Sequence, residues 1–188
     1  MTVADAASAV ADVDLTDAWL VVIDMQRVFT GDSPWSTPGY DRASAAIERI
    51  LPRFAGRTVR TRFVAPEQPT GAWVDYYRDW PFALVAADDP LYDLTEPFAA
   101  VDGPVVTATT FGKWGTDLPA LVGDHPHLVL VGVSTDCCVL STALAAADAG
   151  VHVTVVADAC AGASDADHER ALAAMRLYGP LVTVVDTL

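Results

Sequence analysis

Residues 134–142 read Ser-Thr-Asp-Cys-Cys-Val-Leu-Ser-Thr and directly follow the apolar run 128–133, Leu-Val-Leu-Val-Gly-Val. A thiol at the start of a helix that follows a strand is placed for nucleophilic attack, because the helix N-terminus and a nearby cation both favour the thiolate. Two other reactive groups sit at comparable points: Asp24 closes the run Trp-Leu-Val-Val-Ile, and Lys113 lies in the glycine-flanked stretch Thr-Thr-Phe-Gly-Lys-Trp-Gly. A carboxylate beside a thiol can take its proton and return it to a leaving amine. A lysine next to both keeps the carboxylate ionised and stabilises the thiolate. Taken singly, Asp24 reads as a turn residue, Lys113 as a solvated charge and a cysteine as a small buried hydrophobe. Their common position at strand ends is what suggests a set. Of the two thiols, at about 100° per residue, Cys137 shares a helical stripe with Leu140 and Leu144, and Cys138 shares one with Ser141, Thr142 and Ala145. The small, polar stripe favours Cys138 mildly as the accessible nucleophile and leaves Cys137 open.

Such convergence needs a particular fold. Near-continuous apolar runs at 19–23, 58–64, 105–109, 128–133, 151–156 and 181–185 predict six strands, covered on both faces. Helical stretches are predicted at 41–54, 73–80, 117–122, 136–149 and 166–178, with Gly56, Gly150 and Gly179 as stops and Pro180 reinforcing the last. The alternation predicts an α/β domain: a single doubly wound, mostly parallel six-stranded sheet with right-handed crossovers and helices on both faces. Ligands of such sheets bind outside the carboxyl ends of the strands, where Asp24, Lys113 and the cysteines would lie side by side. Residues 1–16, rich in Ala and Asp without an apolar period, read as a loose arm, and 17–188 as one domain. The irregular stretches 30–39 and 65–73 read as loops over the carboxyl edge.

At 188 residues and 52% hydrophobic, the chain can bury one sizeable core. Eleven basic against 25 acidic residues give a net charge of −14, which argues against nucleic acid and anionic membranes as partners. No apolar run approaches the roughly 18–20 residues of a membrane span, and the acidic start is unlike a signal peptide, so a cytoplasmic protein is expected. Three cysteines, two of them adjacent, do not make a disulfide framework.

The stretches Val-Val-Ile-Asp-Met-Gln-Arg-Val-Phe, Thr-Phe-Gly-Lys-Trp-Gly and Gly-Val-Ser-Thr-Asp-Cys-Cys-Val resemble the isochorismatase-like cysteine hydrolases, which include nicotinamidase, N-carbamoylsarcosine amidohydrolase and ureidoacrylate amidohydrolase. The resemblance runs from Trp19 to Val185. It aligns the family's Thr-Asp-x-Cys-Val with Thr135 to Val139 and so implies Cys138 as the acylated nucleophile, Asp24 as general base and acid, and Lys113 as their charge partner. It further implies a cis peptide at Val133-Ser134 and an oxyanion hole from the backbone N–H groups of Ser134 and Cys138. It implies hydrolysis of a C–N amide or carbamoyl bond in a small molecule, and a homodimer or homotetramer. Helices 136–149 and 166–178 would supply the interface.

Two departures refine this. Metal-dependent nicotinamidases carry an Asp-x-His and further histidines after the second strand, where this chain has none. His125, His127, His152 and His168 come later, without zinc-site spacing, and read as surface or capping residues. No metal and no other cofactor is therefore expected. The second departure is aromatic: Phe29, Trp35, Trp73, Tyr77 and Trp114 are the expected substrate-binding residues, among neighbours that include Tyr76 and Trp80. Arg62, at the end of the second strand, could pair with a substrate carboxylate or with Asp75 or Asp79, of which the structural pair is favoured, and Cys160, ending its strand, reads as a thiol facing the carboxyl edge. Two rivals remain: vinyl-ether hydrolysis with Asp24 as acid and Cys138 idle, and a non-catalytic thiol redox or binding role.

Overall fold

The computed structural model describes residues 15–124 and 126–188. The arm expected over 1–16 therefore lies, except for its last two positions, outside the described residues, as does His125. Six strands, β1 (Trp19–Ile23), β2 (Thr58–Phe63), β3 (Val105–Ala108), β4 (His127–Val133), β5 (His152–Ala161) and β6 (Val182–Val185), form one sheet in the order β3-β2-β1-β4-β5-β6. Every pairing is parallel, as the apolar runs require of a sheet buried on both faces.

Alternation along β1 divides the core. Leu20 and Val22 pack on one face with Ala43, Ile47 and Ile50 of α1 (Tyr40–Ile50) and the rings of the segment that carries α2 (Trp73–Asp79). Val21 and Ile23 pack on the other with Leu118 of α3 (Leu118–Val122), Ala143 and Ala146 of α4 (Leu140–Asp148) and Leu172 of α5 (Asp165–Arg176). Four apolar side chains on a five-residue strand, all buried, are about 1.5–3 kcal/mol each of favourable transfer from water, enough to hold β1 as the central strand.

The strand order reverses between β1 and β4. The chain leaving β1 turns to β2 on one side and the chain leaving β4 turns to β5 on the other, so a crevice opens above their carboxyl ends. Asp24 follows β1 and Ser134 follows β4, so both border that crevice. Among the described residues, no helix is long and apolar enough to cross a membrane.

Candidate active site

Asp24, one residue past β1, has a left-handed backbone with φ of 50°, a conformation that aspartate tolerates better than most residues. Its side chain is fully buried, and its Oδ1 accepts the Thr61 hydroxyl at 2.5 Å. Thr61 Oγ1 in turn accepts the Asp24 backbone N–H at 3.2 Å. Thr61 is an inward position of β2, invisible as a site residue in sequence because a threonine in a strand needs no special explanation. Beside it Gln26 is also buried: its amide donates to the carbonyls of Phe63 and Tyr92, and its Oε1 accepts the Phe63 N–H. That amide fixes the chain after Asp24 against the end of β2.

Lys113 comes from the loop after β3. Its Nζ stands 2.8 Å from Asp24 Oδ2, and both side chains are 0% exposed. The ammonium also donates to the Thr110 carbonyl at 3.1 Å and lies 5.4 Å from the centre of the Phe63 ring. The contact of Oδ2 with Lys113 is an ion pair, and the Cys138 thiol lies within hydrogen-bonding reach of the same carboxylate. A buried pair of this kind is costly to desolvate, and the lysine's second bond and the aromatic face offset part of that cost.

The cysteines lie in a wide π turn, Thr135–Val139, in which the Val139 N–H reaches back five residues to the Ser134 carbonyl at 3.1 Å. Such turns recur at functional sites. The 100° spacing of an α-helix does not hold across it, which corrects the expectation that Cys138 is the more accessible thiol. Cys138 is 3% exposed and Cys137 only half-buried. What distinguishes Cys138 is its neighbourhood, the Asp24 carboxylate and the Lys113 ammonium.

Two glycines make this approach possible. Gly132, at φ 115°, passes so close to β1 that a Cβ there would meet the Ile23 carbonyl oxygen at 2.1 Å. A Cβ on Gly162 would meet Asp136 Oδ1 at 2.9 Å and the His168 nitrogen at 2.8 Å. Asp136 is held there by Ser134 Oγ at 2.8 Å and the Ala163 N–H at 2.9 Å. The Val133-Ser134 peptide is cis.

Burial pushes the Cys138 thiol well above its ordinary range, the Asp24 carboxylate adds to the rise, and Lys113 opposes it without cancelling it. The buried site thus favours the neutral thiol of Cys138, against the pull toward thiolate that a helix terminus and a lysine suggest. Burial, followed by the charge of Asp136, raises Cys137 to about 11.

Beside the thiols opens a cavity of about 360 Å³, lined by aromatic rings and by Ser134, Asp136, Cys137 and Cys138. Of the expected substrate-binding residues, Phe29 and Trp35 line it, with ring centres 6.2 Å apart and nearly parallel. Trp73 and Tyr77 do not. They are an i,i+4 pair facing the core, whereas the adjacent pair Tyr76 and Trp80 faces the cavity. Trp114 does not either: the loop after β3 crosses the sheet, so Phe111 borders the cavity and Trp114 packs on the opposite core.

Other expectations are also corrected. Arg62 donates to the Ala87 carbonyl at 2.7 Å, while Asp75 pairs with Arg78. β5 extends past the expected run, so Cys160 lies inside the strand, fully buried with its sulfur 3.9 Å from the Leu130 carbonyl. His168 is no surface residue. It is buried with Nδ1 2.8 Å from Thr135 Oγ1, bracing the π turn from α5. Among the described residues, no three His, Cys, Asp or Glu side chains are grouped to hold a metal.

The fold has close relatives of known structure. A cysteine hydrolase from Pseudomonas syringae pv. phaseolicola is 20% identical with a TM-score of 0.76, over 92% of this chain and 89% of that one. N-carbamoylsarcosine amidase from Thermoplasma acidophilum is 22% identical with a TM-score of 0.72, over 91% and 98%. A pyrazinamidase of Pyrococcus horikoshii, solved in complex with zinc, is 26% identical with a TM-score of 0.70, over 90% and 98%. In sequence, isochorismatase domain-containing protein 2 of Xenopus laevis is 44% identical over 65 residues, 35% of this chain. That match spans 32% of the Xenopus protein's own length. The isochorismatase domain itself matches from residue 18 to residue 187, and with the parallel sheet and its β1–β4 crevice already described, the chain belongs to the isochorismatase family.

Proposed function

We propose that this protein is a cysteine amidohydrolase that cleaves a C–N amide or carbamoyl bond of a small molecule through an acyl-enzyme on Cys138. The observation that carries this reading is the juxtaposition, at one buried point, of the Cys138 thiol with the Asp24 carboxylate and its ion-pair partner Lys113. As the sulfur attacks the substrate carbonyl, Asp24 takes the thiol proton and the carbonyl π pair moves to oxygen. The N–H groups of Ser134 and Cys138, at the start of the π turn and within it, serve as the oxyanion hole, each donor contributing about 3 kcal/mol. Collapse of the intermediate breaks the C–N bond, and Asp24 returns the proton to the departing amine. Asp24 then deprotonates a water that attacks the thioester, releasing the acid and restoring the thiol. Lys113 keeps the carboxylate charged between these transfers.

The raised pKa of Cys138 fits this order of events, because the base is needed during attack and not before it. The amidases among the structural relatives support C–N chemistry over vinyl-ether cleavage.

The test is ammonia release from a panel of small primary amides and carbamoyl compounds by wild type, Cys137→Ala and Cys138→Ala. Turnover by the first two and a fall of about 10³-fold or more in Cys138→Ala is expected. Full activity of Cys138→Ala on any substrate would sink the acyl-enzyme and favour acid catalysis by Asp24 alone.

A further inference from the structure

Resting on that hydrolytic reading, we propose that the cavity selects a substrate bearing a cationic group distal to the scissile amide, with Asp136 as the specificity-determining residue. Among the described residues, no lysine, arginine or histidine lines the cavity, and the carboxylate that does is Asp136. Lys113, the cation below the floor, is fully buried and committed to Asp24, so it offers no attraction to a second charge. A substrate carboxylate would therefore enter a pocket with no cation in its lining to pair it, at a large desolvation cost.

The Asp136 carboxylate is half used. Oδ1 accepts Ser134 Oγ and the Ala163 N–H, which fix its orientation. Oδ2 has the Cys137 thiol at 3.7 Å, a weak donor at long range. Asp136 forms no ion pair with any described residue.

The same cavity is lined by Phe29, Trp35, Tyr76 and Trp80, with the Trp35 ring in contact with each of the other three. Ring faces carry negative quadrupoles and attract ammonium groups, above all when water is excluded. An oriented carboxylate oxygen in a cavity otherwise lined largely by aromatic rings is a receptor for an alkylammonium. The chain's −14 charge acts in the same direction at long range.

The test uses three benzamides with para substituents of comparable bulk: trimethylammonio, its neutral isostere tert-butyl, and carboxylate. Binding is read by tryptophan fluorescence on wild type and on Asp136→Asn, which keeps the Oδ1 acceptor for Ser134 and Ala163. In wild type the cation is expected to bind about tenfold more tightly than the neutral isostere and the anion about tenfold more weakly, and the spread should narrow in Asp136→Asn. Equal affinities, a preference for the anion, an unchanged spread in Asp136→Asn, or no measurable binding of the cation would each overturn the proposal. Ammonia release is followed in parallel. Selective binding without any ammonia would leave this selectivity standing and count against hydrolysis instead.

Discussion

The hydroxyl of Thr142 accepts the backbone N–H of Lys113 at 3.0 Å. It also donates to the Cys138 carbonyl at 2.6 Å, so one buried side chain fastens the lysine loop to the cysteine turn. Replacing it with valine keeps the volume and strands a buried N–H. Thr142→Val should lose about 1–3 kcal/mol of stability in thermal or urea unfolding, and amide turnover should fall further than stability alone explains. Thr142→Ser should recover most of both. A valine variant with unchanged unfolding would mean that the loop is held otherwise.

Asp24 and Lys113 should behave as one unit. Removing either leaves a buried charge without its partner, a loss of about 3–5 kcal/mol for Lys113→Met, whereas Asp24→Asn with Lys113→Met together should cost clearly less than the sum. A double-mutant cycle in urea measures this. Additive losses would contradict the 2.8 Å contact.

Stability should drain at high pH. Burial raises Cys137 to about 11 and Cys160 and Tyr40 to about 12, and it pushes Cys138, Tyr76 and Tyr77 upward as well. Each group holds its proton more tightly folded than unfolded, so its contribution is complete below its unfolded value, near 8.5 for cysteine and 10 for tyrosine, and is lost as pH climbs through the folded values. Urea midpoints should be level up to about pH 8 and fall steadily from 9 to 12. A level profile to pH 11 would refute the burial of these thiols and phenols.

Gly132→Ala tests the closeness of β4 to β1. With the Ile23 carbonyl oxygen 2.1 Å from the new Cβ and φ at 115°, the strands must separate. A loss of about 3 kcal/mol or more is expected, visible as poor soluble yield or a much lower urea midpoint. Near-native stability would show that the strands have room.

Much of this was legible in the sequence. All six strands form where the apolar runs stand, because burial on both faces demands uninterrupted Val, Leu and Ile. Asp24, Lys113 and Cys138 come together because parallel strands deliver their carboxyl ends to one edge. What stayed hidden depends on neighbours that sequence does not reveal. Thr61 and Thr142 look like ordinary strand and helix residues until partners from distant segments arrive. The aromatic wall was half misread because the choice between Tyr76 and Tyr77 turns on a rotation of one residue about a short helix. Cys137 and Cys138 traded exposure because a π turn replaces the first turn of α4.

The order of strands has a consequence for how the protein acquires activity. Asp24 leaves β1, Lys113 follows β3 and Cys138 follows β4, so the carboxylate is separated from the other two by more than 80 residues of chain. Parallel pairing closes long loops and is slow compared with helix formation. During refolding, helical signal should therefore rise well before catalysis does. Thr61 must dock on β1 and β4 must slide against Ile23 before the proposed proton transfer from sulfur to carboxylate has a path, so on that proposal the last strand to register is the one that switches the chemistry on.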